Sequence, residues 1–317
     1  MTAFVLDRLD AAQRLSSVRT SHIAADGAQL LADAGMLGWN VRTITVSASE
    51  LTADGVTGFD LPKAAAPIYT DPATGVVRAI GGTVGRNYAP IQNEEMIPFL
   101  DALLETSGGK FNSAGYSPDH SSVFVGITTP STLTIGGHDN VSVKMLVGNS
   151  HDGSGAFTAR AELVRLVCTN GMTAAIPGTR MGITVRHTSG FREALAEARR
   201  SLDTISTYAE SFKQAAEPML TSEFVDAEFA RIVERLLPVK AEDNPHVQGV
   251  LALRHNSNTI ADDWRRTAWG AYQAFTEYTD HVMPVRTSGD RDLARATRTM
   301  GSAMTRAKTR MFTALQG

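Results

Sequence analysis

From residue 39 to 188 apolar and polar residues alternate over short runs, the period of strands with one buried face; from Phe191 onward the period lengthens to that of helices. Val41, Thr43 and Thr45 fall opposite Arg42, Ile44 and Val46, and Asp54-Gly55, Asp71-Pro72 and Thr74-Gly75 supply the punctuation of hairpin turns. Further strands are predicted at 110–117, 123–129, 131–135, 141–147, 157–168 and 183–188. One helix interrupts them. Asn93 is placed to cap it, Met96, Phe99, Leu100, Leu103 and Leu104 form its apolar stripe, and Gly108-Gly109 ends it. A lone helix among consecutive strands predicts an α+β class with a mostly antiparallel sheet and packed helices.

Beyond residue 190 the pattern is all helical. Phe191, Leu195, Ala198, Leu202, Ile205, Ala209, Phe212 and Ala216 alternate steps of four and three, a seam of about three and a half heptads that Pro218 closes. Such a seam fits a long helix lying across a sheet or against another helix, or else a coil between subunits. Helices are also predicted at 222–237, 247–254, 259–281 and 292–315, with Pro238 and Pro245 bracketing a linker. Ile260, Trp264, Ala268, Tyr272 and Phe275 make a core stripe on the third of these. Residues 1–40 carry only weakly amphipathic segments, so the expected division is an N-terminal arm (1–40), an antiparallel α+β core (41–190) and a helical region (191–317) ending in a basic helix.

The composition, 43% hydrophobic and 20% charged, is that of an ordinary folded protein. No apolar run approaches the ~18 residues of a membrane span. Asp7, Arg8 and Asp10 occupy the place where a signal peptide would be apolar, so no membrane partner and a cytoplasmic location are expected. The single Cys168 excludes an intramolecular disulfide and a Cys-rich zinc site, and reads as a packed residue. The net charge of −3 excludes a generally basic nucleic-acid coat. From 286 onward, however, seven cations (Arg286, Arg291, Arg295, Arg298, Arg306, Lys308, Arg310) face two acids (Asp290, Asp292), a local +5 on a remainder of −8. Such a tail attracts either a polyanion or the acidic body of another subunit.

Motif chemistry is sparse. Gly108-Gly109-Lys110-Phe111 lacks the spacing and hydroxyl of a P-loop, and Gly81-Gly82-Thr83-Val84-Gly85 is no dinucleotide fingerprint, so no cofactor is expected. Ser150-His151-Asp152 is not a triad, because consecutive residues of an extended chain point to opposite faces. His151 and Asp152 are instead expected to bond amides within the turn that starts at Asn149. His120, His138, His151, His187, Asp119, Asp139 and Asp152 lie near predicted strand ends and offer a metal reading, without HxxxH or HxD spacing to support it. The cations Arg86, Lys144, Arg160, Arg165 and Arg186 lie on several strands. If they share a face they form a groove that tracks a phosphate backbone, with Tyr88, Phe111, Tyr116 or Phe157 available to stack bases. The competing reading is surface cations and core aromatics.

The turn Asn149-Ser150-His151-Asp152-Gly153-Ser154 and the segment Arg165-Leu166-Val167-Cys168-Thr169-Asn170 resemble a phage/plasmid-like family known as domain of unknown function 932. Further matching residues are Arg86-Asn87-Tyr88-Ala89-Pro90-Ile91-Gln92-Asn93-Glu94 and Arg186-His187-Thr188. The resemblance covers roughly 40–216, with an echo at 264–281, and implies ancestry without an activity. The element order is in turn similar to that of Rad-type single-strand annealing proteins. That layout implies an ATP-independent protein that binds single-stranded DNA, self-associates into a ring or filament, and promotes annealing in recombination. Its candidate DNA contacts are Arg86, Tyr88, Lys144, Arg160, Arg165 and Arg186. The alternatives are a non-enzymatic phage structural or host-interaction oligomer and a metal-dependent phosphoesterase.

Overall fold

Strand-period residues build two antiparallel sheets, and the helical residues cover one face of the larger sheet. The structure, a computed structural model, describes residues 24–316 apart from 54, 118, 138, 166–170, 173–181, 201–202, 241–242, 287–290, 292–294, 296–297 and 300–301. The smaller sheet is a long hairpin, β1 (Arg42–Thr52) and β2 (Gly55–Thr70), with the short β3 (Val77–Ala79) and β4 (Val84–Gly85) both paired to β2. The larger sheet runs β10-β8-β7-β6-β5, from β5 (Lys110–Tyr116), β6 (Ser122–Ile135), β7 (Asp139–Ser150), β8 (Phe157–Arg165) and β10 (Gly182–Val185); β9 (Gly171–Met172) adds to β8. The predicted strands at 123–129 and 131–135 are one strand, β6, whose register shifts between Thr128 and Thr132.

The period of two decides what the large sheet buries. Val141, Val143, Met145 and Val147 of β7 lie opposite Arg165, Leu163, Ala161 and Ala159 of β8, and all eight side chains are on the covered face. Eight α-helices are described: α1 (Gly27–Asp33), α2 (Ile97–Ser107), α3 (Phe191–Arg200), α4 (Asp203–Ala216), α5 (Asp226–Leu236), α6 (Pro245–Asn256), α7 (Ala268–Glu277) and α8 (Ser302–Leu315). Helix α4 lies across β6 and β8, with Phe212 against Trp269 of α7 and Phe312 of α8. Burying aromatic and aliphatic side chains on this scale stabilises by about 1.5–3 kcal/mol each. The predicted helix after Pro90 is present as α2, and Gly108 ends it at φ 59°, a conformation an L side chain rarely takes.

The predicted heptad helix is described as α3 and α4 on either side of residues 201–202, and its Phe191, Leu195, Ala209, Phe212 and Ala216 are buried in this chain's own core; Leu202 and the side chains of Ala198 and Ile205 lie outside the described residues. Two expectations change. Residues 24–41 are not an arm. Asp26 caps α1, whose Leu30 and Leu31 pack with Met36, Trp39 and Val41 into the core, and Gly27 donates to Asp101 of α2. The change at 190 separates secondary structures rather than cores, since one continuous apolar cluster joins the sheet to the helices.

Buried charges fasten that junction. Arg165, only 2% exposed, pairs with Asp139 at 2.8 Å and donates to the Thr259 carbonyl, while the Trp269 indole donates to the other Asp139 oxygen. Lys308, one of the seven C-terminal cations, is turned inward against Asp280 and the Gly171 carbonyl, and Asp280 also accepts from the Gly171 amide. Arg306 and Arg310 of the same helix remain exposed. Arg254 is buried over the Phe229 ring and paired with Asp226. Removing one member of such a pair leaves an uncompensated charge in the interior. Arg165→Ala is therefore expected to lower unfolding free energy by about 3–5 kcal/mol, read as a drop in urea midpoint; a midpoint within experimental error of the parent would refute the assignment.

Candidate functional site at the base of the hairpin

The irregular segment from Tyr88 to Glu95 is held by side chains and backbone groups from four other parts of the chain. Tyr88 donates its hydroxyl to the Ser150 carbonyl, and the Ala89 amide donates to the His187 carbonyl. The Ile91 amide donates to His187 Nδ1 at 3.4 Å, and the Ile91 carbonyl accepts from Asn149. Gln92 pairs with both backbone groups of Val41; Glu94 accepts from the Gly38 amide. Asn93 does not cap the helix as predicted: its backbone is already helical, and its amide group donates to the Met36 carbonyl. Most of the motif that carried the family resemblance is thus spent on holding the chain together. Arg86 is different, because among the described residues its guanidinium reaches only the Pro62 carbonyl, at 3.5 Å.

The Asn149–Ser154 turn completes this polar knot. Ser150 Oγ donates to Asp152 Oδ1 at 2.6 Å and the Ser154 amide donates to the same oxygen, so Asp152 organises the turn as expected. Burial alone would raise the Asp152 carboxyl, but the hydrogen bonds from Ser150 and Ser154 hold it below the usual range. Gly153 sits at φ 78° with Val84 where a Cβ would be. His151 points the other way, into the interior, and bonds a side chain rather than an amide: its Nε2 lies 3.0 Å from Asn93 Oδ1. Because Asn93 spends its NH2 on Met36, this contact puts the His151 proton on Nε2 and leaves a lone pair on Nδ1. His187, accepting at Nδ1, carries its proton on Nε2. Those two outer nitrogens and Asn149 Oδ1 find no partner among the described residues, a set of two acceptors and one donor.

Burial, reinforced by the neighbouring His187, holds the His151 imidazole at about 3; burial also holds His187 at about 4. Tyr88 stacks on His187 at 4.8 Å and 15°, and burial, with the Asp152 charge, pushes its phenol up. On the other side of His151, Trp39 packs against His120, which stacks on Tyr69 at 4.3 Å. Both histidines are neutral working parts of the fold. Among the described residues no three His, Cys, Asp or Glu side chains gather as metal ligands; Asp139 is engaged by Arg165 and Trp269, and His138 lies outside the described residues.

The six predicted DNA contacts separate. Arg86 and Arg186 are exposed and flank the Tyr88–His187 stack along the chain. Lys144 and Arg160 share the outer face of the large sheet with Glu162, which lies opposite Lys144 in register and pairs with Arg160 at 3.2 Å. Arg165 is the correction: it is buried in its ion pair and cannot reach a phosphate. Tyr88 has one ring face covered by His187, Phe111 and Phe157 are buried in the core, and Tyr116 packs edge-on against Trp39, so none offers an open stacking platform. Sequence reasoning missed Lys63. It is exposed on β2, and its carbonyl accepts from the Arg86 amide, which sets the two cations side by side. Only the pairing of β4 with β2 reveals that neighbourhood.

The histidines predict a pH dependence with a definite sign. Their folded values lie below the ordinary 6.5, so stability is complete above about pH 6.5 and is lost as pH falls towards 4, where the unfolded chain binds protons that the folded chain refuses. A loss of roughly 2 kcal/mol per histidine is expected between pH 7 and 4.5. Urea melts of the parent and of His151→Gln across that range test it: the variant should show a flatter profile, and an equal slope would contradict the buried neutral state.

A family model described as a domain of unknown function (DUF932) matches residues 81–300, more than half of the chain. The match starts later and runs further towards the C-terminus than the motif resemblance, taking in the polar knot and most of the helical layer but not the hairpin. No curated protein and no solved structure matches the chain, so the likeness to Rad-type annealing proteins rests on element order alone. With a match over more than half of its length, the chain belongs to the family of domain of unknown function 932.

Proposed function

We propose that the protein binds single-stranded DNA at the base of the hairpin, without ATP, and promotes annealing by aligning strands. The observation that carries this reading is the group Lys63, Arg86 and Arg186: three exposed cations with no ion pair among the described residues, on a chain of net charge −3. Cations held on a rigid frame neutralise phosphates while base edges stay free to pair. Lys144 and Arg160 contribute less, since Glu162 offsets them. Arg165 has no part in it. No described helix is long and apolar enough to cross a membrane, and the reading requires none.

The test is fluorescence anisotropy of a labelled oligo-dT over a salt series, with chelator and without nucleotide. The parent should bind with a steeply negative salt slope. The K63A/R86A/R186A variant should lose at least about tenfold in affinity and flatten the log–log slope by about 2, the counterion share of three phosphate contacts on a single strand. Arg160→Ala should change little. Absence of binding at low salt, or an unchanged slope in the triple variant, would hand the case to the structural or host-interaction oligomer.

A further inference from the structure

Ser47–Thr52 and Gly55–Asp60 are paired strand to strand as a two-stranded ribbon of roughly 20 Å whose described side chains are exposed. An isolated ribbon of this kind is marginal in water. This one also displays apolar side chains to solvent on both faces: Leu51, 82% exposed, lies opposite Val56, 71% exposed, on one face, and Phe59 and Leu61 are exposed on the other. Of the large apolar residues exposed among the described residues, the others are Ile44, Val76 and Val77 at the base of the same sheet, and Val225, Val239 and Val282, which belong to other parts of the chain. The surface best matched to the ribbon in apolar character is therefore its own sheet.

Charge fixes which part of that sheet. Residues 46–61 contain Glu50, Asp54 and Asp60 and no Lys or Arg, whereas the base carries Arg42, Lys63, Arg78 and Arg86 against one acid, Asp71. Ribbon against ribbon would set acids on acids, and a nucleic acid would be repelled; ribbon against base sets acids on cations. The base also has an open edge. Strand β3 pairs with Thr70–Ile68 of β2 on one side, is exposed throughout, and is the edge of its sheet. The ribbon has no Pro or Lys to block pairing until Pro62-Lys63 at its root.

We propose that the hairpin ribbon of one copy docks on the β3 edge of a second copy, head to tail. A contact of this kind leaves one ribbon and one edge open on every pair, so it continues until a ring closes or a filament forms. The docked acids would compete with DNA for Lys63 and Arg86, so the inference is tested with no DNA present.

The full chain would be examined by sedimentation velocity at tens of micromolar, together with L51D/V56D, which spoils the ribbon, and V77D/R78E, which spoils the edge. The parent should sediment as a multi-subunit species. Each variant should be monomeric, with association at least tenfold weaker, and should keep the parent's melting temperature because the substituted side chains are exposed. An equimolar mixture of the two variants should give a one-to-one dimer, since one supplies an intact ribbon and the other an intact edge. Shortening the ribbon by replacing residues 48–59 with Asn-Gly should reproduce the loss without new charges. A monomeric parent, an edge variant that assembles like the parent, or a mixture that stays monomeric would each overturn the proposal.

Discussion

A partly buried stretch of chain that joins no strand and forms only one short 3-10 turn must find most of its hydrogen bonds elsewhere, and the architecture around residues 88–95 is governed by that requirement. Tyr88, Ile91, Gln92, Asn93 and Glu94 reach, in turn, the end of β7, the strand exit at His187, the start of β1 and the loop after α1. Each bond is individually modest, about 1 kcal/mol net, but leaving any of these groups unpaired in the interior costs more than making the bond returns. The segment therefore fixes four neighbours at once. Arg86 and Arg186 adjoin it along the chain, two residues before Tyr88 and next to His187, and Lys63 is set by the strand pairing beside Arg86.

The helical layer is attached by a different kind of interaction. Arg165 with Asp139 and Lys308 with Asp280 are ion pairs with no access to water, tying β8 to β7 and α8 to the turn after α7. Buried pairs add little stability over an apolar packing of equal volume, but they punish misplacement severely. Their effect is to set the register of helices on the sheet, where apolar contacts alone tolerate sliding. Trp269 and the Gly171 amide bind the remaining carboxylate oxygens, so neither acid is half satisfied.

Much of this was legible along the chain. Alternation located the strands, the α+β class followed from one helix among them, and the stripe through Trp264, Ala268, Tyr272 and Phe275 is core. What was not legible is what depends on partners distant in sequence. Asn93 looks like a helix cap until Met36 and His151 are brought to it. Arg165 and Lys308 read as cations available to a polyanion because the acid that neutralises each lies 26 or 28 residues away. Lys63 carries no signal at all, since its significance comes from a strand pairing with Val84 and Gly85. The heptad seam was read correctly as an apolar face, but period alone does not say whether a sheet or another helix covers it.

The hairpin is also a lever, and its pivot is made of rings. Near the root of its second strand, Tyr69 stacks on His120; His120 packs on Trp39, and Trp39 lies against His151. A load taken at the far end of the ribbon passes along the pairings of β2 and meets, at Tyr69, this column of flat side chains. The ring column is thus a place where a bending arm and the interior of the protein are mechanically joined.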